Sequence, residues 1–178
     1  MRENLIGGIG GVVQLAFVPG DVDAALTYWT QTMGAGPFVA LEHLQMDAAT
    51  YKGAPAEIDF SAYIGYWGDL QIEIIVQHDD APSIYKSWRD EGCEGLHHVC
   101  LVTSDMPRAR RIIADAGGTV VQEAFLPGGA EVIYAETGGG PGSMVEVFQP
   151  AQAALDLFAW IKSLAVDWDG TNPVRRLG

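Results

Sequence analysis

Positive charge is scarce in this sequence. Ten lysines and arginines stand against 23 aspartates and glutamates, a formal net charge of −13 over 178 residues. Such a surface repels polyanions, so nucleic acid and anionic membrane are excluded as partners, while divalent cations are drawn in. Cysteine is scarcer still. The two present, Cys93 and Cys100, form no CxxC pair, which excludes a disulfide framework and a zinc–thiolate centre. A reduced, cytoplasmic location is the expectation, with Cys100 a small buried residue in a strand. No apolar run approaches the ~20 residues of a membrane-spanning helix. The opening MRENLIGGIGG lacks an apolar stretch with a cleavage site, so no secretory signal is expected. Phosphate loops are missing as well: GGGPGS, from Gly138 to Ser143, has no following Lys-Ser/Thr and reads as a loop between strands.

What the chain does have is an internal repeat. GGVVQLAFVPGDVDAALTYWTQTMGAGPF (Gly10–Phe38) and EGLHHVCLVTSDMPRARRIIADAGGTVV (Glu94–Val121) share one grammar: a short apolar strand, a turn, an amphipathic helix and a stopping glycine. In the first helix Val22, Ala25, Leu26, Trp29 and Met33 recur at helical spacing, with Asp21 as N-cap and Gly34 as stop. In the second, Met106, Ala109, Ile112, Ile113 and Ala116 form the stripe, Ser104 or Asp105 caps it, Pro107 suits the first turn and Gly117 ends it. Three strand-like runs follow each helix: 37–44, 58–64 and 70–77 in the first half, 119–126, 131–136 and 144–148 in the second. The predicted fold is therefore α+β, two pseudo-repeated βαβββ modules forming a cupped mixed sheet. Its divisions are a first module at 1–80, a linker at 81–95 with a short helical piece, a second module at 96–150, and a C-terminal helix and extended tail at 151–178. Leu155, Phe158, Ile161, Leu164 and Ala165 mark the apolar face of that last helix.

Strand alternation identifies side chains that share a face. Gln14, Ala16 and Val18 lie together in the first strand of one half, His98, Cys100 and Val102 in the matching strand of the other. Glu73 in LQIEIIV and Glu146 in SMVEVF sit inside apolar last strands at equivalent places of the repeat. A carboxylate there is costly unless it is paired, solvated or bound to metal. One amide, one imidazole and two carboxylates make a borderline-to-hard ligand set, suited to Zn²⁺, Ni²⁺, Co²⁺, Mn²⁺ or Fe²⁺. Phe60, Tyr63 and Trp67 are expected near the mouth of an apolar substrate pocket. His43 and His78, near strand ends, read as surface histidines.

The segments VVQLAFVPGDVDAALTYWTQTMG, GLHHVCLVTSDMPRARRIIADAGG and SMVEVFQP resemble the vicinal oxygen chelate superfamily, the glyoxalase, epimerase and dioxygenase group, over Gly10 to Pro150. GLHHVC is particularly similar to methylmalonyl-CoA epimerases, and the ligand set Gln, Glu, His, Glu to glyoxalase I lactoylglutathione lyases. The resemblance implies one divalent metal ion held by Gln14, Glu73, His98 and Glu146, with His98 rather than His97 as the ligand. It also implies Glu146 or Glu73 as catalytic base, a small-molecule substrate and a homodimer. Two departures shape the expectation. No arginine lies between Arg2 and Arg89 to hold glutathione carboxylates, and Ala62 stands where the epimerases place a catalytic glutamate. The expected function is a metal-dependent isomerase, epimerase or lyase working through an enolate-like intermediate. The alternatives are an iron-dependent ring-cleaving dioxygenase and a non-catalytic protein that binds aromatic ligands, like the drug-resistance members.

Overall fold

The computed structural model of the chain describes residues 5–44, 46–126 and 128–177. In chain order its elements are β1 (Val12–Val18), α1 (Val22–Thr27), β2 (Phe38–Leu44), β3 (Asp47–Tyr51), β4 (Ala54–Pro55), β5 (Phe60–Trp67), β6 (Leu70–Gln77) and α2 (Ile84–Asp90). They continue as β7 (Gly95–Val102), α3 (Met106–Asp115), β8 (Thr119–Leu126), β9 (Ala130–Glu136), β10 (Met144–Gln149), α4 (Gln152–Leu164) and β11 (Val174–Arg176). None of the described helices is long and apolar enough to cross a membrane.

The caps read from sequence define the two repeat helices. Asp21 accepts from the Ala24 N–H and Asp105 from the Arg108 N–H, each at 2.9 Å, satisfying donors that the first helical turn leaves open. Past α1, residues Tyr28–Thr32 continue in a wider turn, with the Met33 N–H reaching the Tyr28 carbonyl. Leu26 and Trp29 of this first helical segment pack on Phe38, Ile72 and Ile74. Met106, Ala109, Ile112 and Ile113 of α3 pack on Leu101, Ile133, Val145 and Val147. Both helices therefore cover the same, outer face of one sheet.

That sheet runs β11-β2-β5-β6-β1-β7-β10-β9-β8-β3-β4. It confirms the α+β cupped sheet and adds elements the alternation did not reveal. The extra residues in the first half form the β3–β4 hairpin. β3 begins just after β2 at one side of the sheet, yet it pairs with β8 at the other. One short connection can join the two sides only if the sheet curls until they approach each other, which makes the cup deep. The extended tail also contributes a strand, β11, parallel to β2. The C-terminal helix turns Phe158, Ile161 and Leu164 inward, with Leu157 beside them, against Val39, Ile64 and Tyr66. Leu155, expected on this face, is 45% exposed instead, because Ala154 and Leu157 hold the inward positions.

Candidate metal centre

Inside the cup the strands align two rows of side chains. Gln71, Gln14, Cys100, Glu146 and Tyr134 face one another across β6, β1, β7, β10 and β9. The neighbouring row holds Glu73, Ala16, His98 and Met144. Ala16 separates Glu73 from His98 by one strand on each side. Strands lie about 4.8 Å apart, so only a side chain as small as alanine lets those two residues reach over it. His98 Nε2 stands 3.8 Å from Glu73 Oε2 and 2.9 Å from Glu146 Oε2. Glu73, His98 and Glu146 each offer one ligand atom within 4.8 Å of the others.

A bulge in β7 sets the histidine pair. Consecutive residues Ala16 and Phe17 pair with His98 and Leu96, so His97 is the extra residue and its ring turns to the same side as His98. Both rings are fully buried. His97 does not face outward. Its Nε2 lies 3.3 Å from the Ile84 carbonyl and its Nδ1 2.9 Å from His98 Nδ1. A carbonyl only accepts, so His97 Nε2 carries the proton and His97 Nδ1 is a lone pair. His98 Nδ1 must then donate to it, and His98 Nε2 is left as a bare lone pair aimed at the carboxylates. Burial holds both rings neutral, with pKa values lowered to about 3.

Gln14 is oriented by the same kind of logic. The Gln71 amide donates to the Tyr66 hydroxyl at 2.9 Å, and the Gln14 amide donates to Gln71 Oε1 at 2.6 Å. Gln14 Oε1 is thereby left without a partner, although it is buried. His98 Nε2 is likewise without a hydrogen bond, despite its 2.9 Å contact with Glu146. Two acceptors that close require positive charge between them, either a proton on the carboxylate or a cation. Burial raises Glu146 to about 8, against a smaller lowering by the Cys100 thiol. Burial, then the charge of Glu146, raises Glu73 well above the usual carboxylate range. A bare lone pair on His98 faced by two reluctant anions, with the unpartnered Gln14 oxygen on the same inner face of the sheet, fits a divalent cation of the borderline class.

Aromatic side chains roof this region. Tyr85, carried in on α2, stacks 5.6 Å from Phe60 and from His97, and its hydroxyl meets that of Tyr134 at 3.3 Å. The Tyr134 ring stands 5.3 Å from His98. Burial and the two glutamates push both phenols well above their ordinary pKa. Of the three aromatics expected to share a pocket, only Phe60 points inward. Tyr63 and Trp67 fall on the opposite face by strand alternation, Tyr63 packing with the outer cluster around α1 and Trp67 lying 46% exposed beside Trp29. The pocket expectation is corrected accordingly. A cavity of about 300 Å³ opens elsewhere, between α2 and the GGGPGS loop, with Ile84, Trp88, His97, Gly142 and Met144 in its wall. Gly142 adopts φ 76, and a Cβ there would come 3.0 Å from the Leu96 carbonyl, so the loop can lie this close only as glycine. Tyr85, Tyr134 and Trp88 gave no sequence signal beyond apolar periodicity. The HH pair and the loop were visible, but not their proximity.

A deep cup with an amide, an imidazole and two carboxylates turned inward defines a protein of the vicinal oxygen chelate kind. The chain belongs to the Glyoxalase/Bleomycin resistance protein/Dioxygenase superfamily, whose model matches residues 13–135. No curated protein matches it in sequence. Its fold is similar to that of a methylmalonyl-CoA epimerase from Mycobacterium tuberculosis (TM-score 0.57, 15% identity, 83% of this chain and 93% of that one). It is also similar to a hypothetical protein from Bacillus halodurans C-125 (TM-score 0.57, 12% identity, 80% and 95%). A third similar structure is a Streptomyces coelicolor methylmalonyl-CoA epimerase solved with 2-nitronate-propionyl-CoA (TM-score 0.53, 15% identity, 81% and 96%).

Proposed function

We propose that this chain is a metal-dependent isomerase, epimerase or lyase acting on a small carbonyl compound, with Gln14, Glu73, His98 and Glu146 holding one divalent cation. The observation that carries this reading is the buried, unpartnered His98 Nε2 facing the carboxylates of Glu73 and Glu146, both of raised pKa, with Gln14 Oε1 on the strand between β6 and β7 also buried and unpartnered. A divalent cation bound there supplies Lewis acidity to an oxyanion developing on the substrate carbonyl. The protein's own groups do the rest. Glu146 Oε2, on loosening from the cation, would take the proton from the carbon beside the carbonyl. Glu73, whose ligand atom lies within 4.8 Å of those of His98 and Glu146, is the second carboxylate that could carry a proton there on loosening from the cation. Tyr85 and Tyr134, kept protonated, offer O–H donors in a water-poor interior.

The cavity beside His97 and Met144 is the substrate's way in. Glu91 and Glu136 stand at its wall, and the whole chain carries −13, so a small uncharged carbonyl compound suits it better than a polyanionic thioester. His98 is the one histidine turned to the carboxylates, since His97 is used in orienting it. This favours proton transfer over a dioxygenase, which needs two histidines and one carboxylate. The test is exchange of the proton beside the carbonyl. Metal-loaded protein incubated in deuterium oxide with a panel of small ketones, aldehydes and keto acids is expected to label that carbon, and E146Q is expected to lose the labelling while staying folded. Equal labelling by E146Q removes Glu146 from the reaction.

A further inference from the structure

We propose that the chain carries a second divalent-cation site, built from His43, Asp59 and His78 on the outer face of the sheet. One ring nitrogen from each histidine and one Asp59 oxygen lie within 4.8 Å of one another. Bonds of about 2.0–2.1 Å to a common ion put donor atoms roughly 3–4 Å apart, so closure around an ion takes only small side-chain movements. Alternation along β6 turns Glu73 and Gln77 into the cup and His78, just past the strand, out of it. This site is therefore separate from the first and does not depend on the proposed reaction.

The backbone is shaped to bring the three together. β2 has one more residue than β5 between Leu41 and Leu44, and His43 sits in that bulge at φ 51, a left-handed conformation that non-glycine residues rarely adopt. The bulge swings the His43 ring to 4.8 Å from the His78 ring, tilted by 35°. Each member is also buttressed. Ser61, 2% exposed, accepts the His43 backbone N–H at 3.0 Å, and its hydroxyl meets His78 Nε2 at 2.7 Å. The Asp59 backbone N–H is held by Asp79 Oδ2 at 3.0 Å, and the His78 N–H by the Asp59 carbonyl at 2.8 Å. His43 Nδ1 and Asp59 Oδ1 stand 2.7 Å apart, with side chains 64% and 40% exposed, so an ion can enter from solvent. Two imidazoles and a carboxylate select Zn²⁺, Ni²⁺ or Cu²⁺ over Mg²⁺ or Ca²⁺. An ion here ties the end of β2 to β5 and β6 where the chain leaves for β3.

Calorimetric titration of tag-free, metal-free protein with Zn²⁺ decides the matter. Wild type is expected to take two equivalents. H43A/H78A should take one, and E73Q/E146Q, which keeps its side-chain shapes, should keep only the outer one. Circular dichroism checks that each variant is folded. If H43A/H78A takes as much zinc as wild type, the outer site does not exist. If E73Q/E146Q does, the inner centre fails and the outer one stands. Should wild type take a single equivalent, its loss in H43A/H78A supports this proposal and its loss in E73Q/E146Q overturns it.

Discussion

Replacing Glu146 by glutamine should change stability in opposite directions with and without metal. In metal-free protein Glu146 Oε2 faces the bare His98 Nε2 at 2.9 Å and is buried, and its pKa rises from the ordinary 4.5 to about 8. A carboxyl group with a raised folded pKa destabilises progressively as pH climbs from its unfolded value to its folded one, because only the unfolded chain gives up its proton. Above pH 8 the cost is fully present. An amide of the same shape carries no charge and can donate an N–H to His98. Metal-free E146Q should therefore be more stable than wild type at pH 8, by on the order of 2 kcal/mol, and little different at pH 5. In a chain of 178 residues that corresponds to roughly 4–8 °C in melting temperature. With metal the order reverses. An ion at 1,000 times its dissociation constant stabilises wild type by ~4.1 kcal/mol, and the variant, missing an anionic ligand, should lose most of that gain. The assay is differential scanning calorimetry at pH 5 and pH 8, with chelator and with Zn²⁺. A metal-free variant no more stable than wild type at pH 8, together with an undiminished zinc shift, would refute the reasoning.

Other perturbations test the supporting residues. Q71L removes the acceptor that turns the Gln14 amide, so zinc affinity at the inner site should fall about 10-fold, measured by competition with a chromogenic chelator. A16L places bulk between Glu73 and His98 and should abolish inner-site binding while circular dichroism stays native; retained zinc would show that the two side chains do not meet over that residue. His98, held neutral with its pKa lowered to about 3, makes the folded state bind fewer protons than the unfolded chain, so metal-free stability should also fall as pH drops from 6.5 toward 3. H98N should flatten that limb of the pH–stability curve. D105A removes the α3 cap at a cost of about 1 kcal/mol, read as a lower denaturant midpoint with zinc binding unchanged.

The sequence by itself determined the elements that depend on local chemistry. Both helix caps, the stopping glycines and the runs at 70–77 and 119–126 follow from periodicity and capping, which act over a few residues, and the structure has them where the pattern puts them. Gln14, Glu73, His98 and Glu146 were legible because a polar side chain in an apolar strand is conspicuous and the repeat doubles the signal. Tertiary structure decided what lies between them. The β3–β4 hairpin falls between the runs at 37–44 and 58–64 without a pattern of its own, since its partner β8 is remote in sequence. His97 took its place through a bulge that alternation does not foresee, whereas Phe60 parts from Tyr63 and Trp67, three and seven residues on, by plain strand alternation that the sequence already contained. Tyr85 entered the cup only because α2 docks there. Such features arise from the closure of a curled sheet, where contacts form between residues whose separation along the chain leaves no periodic trace.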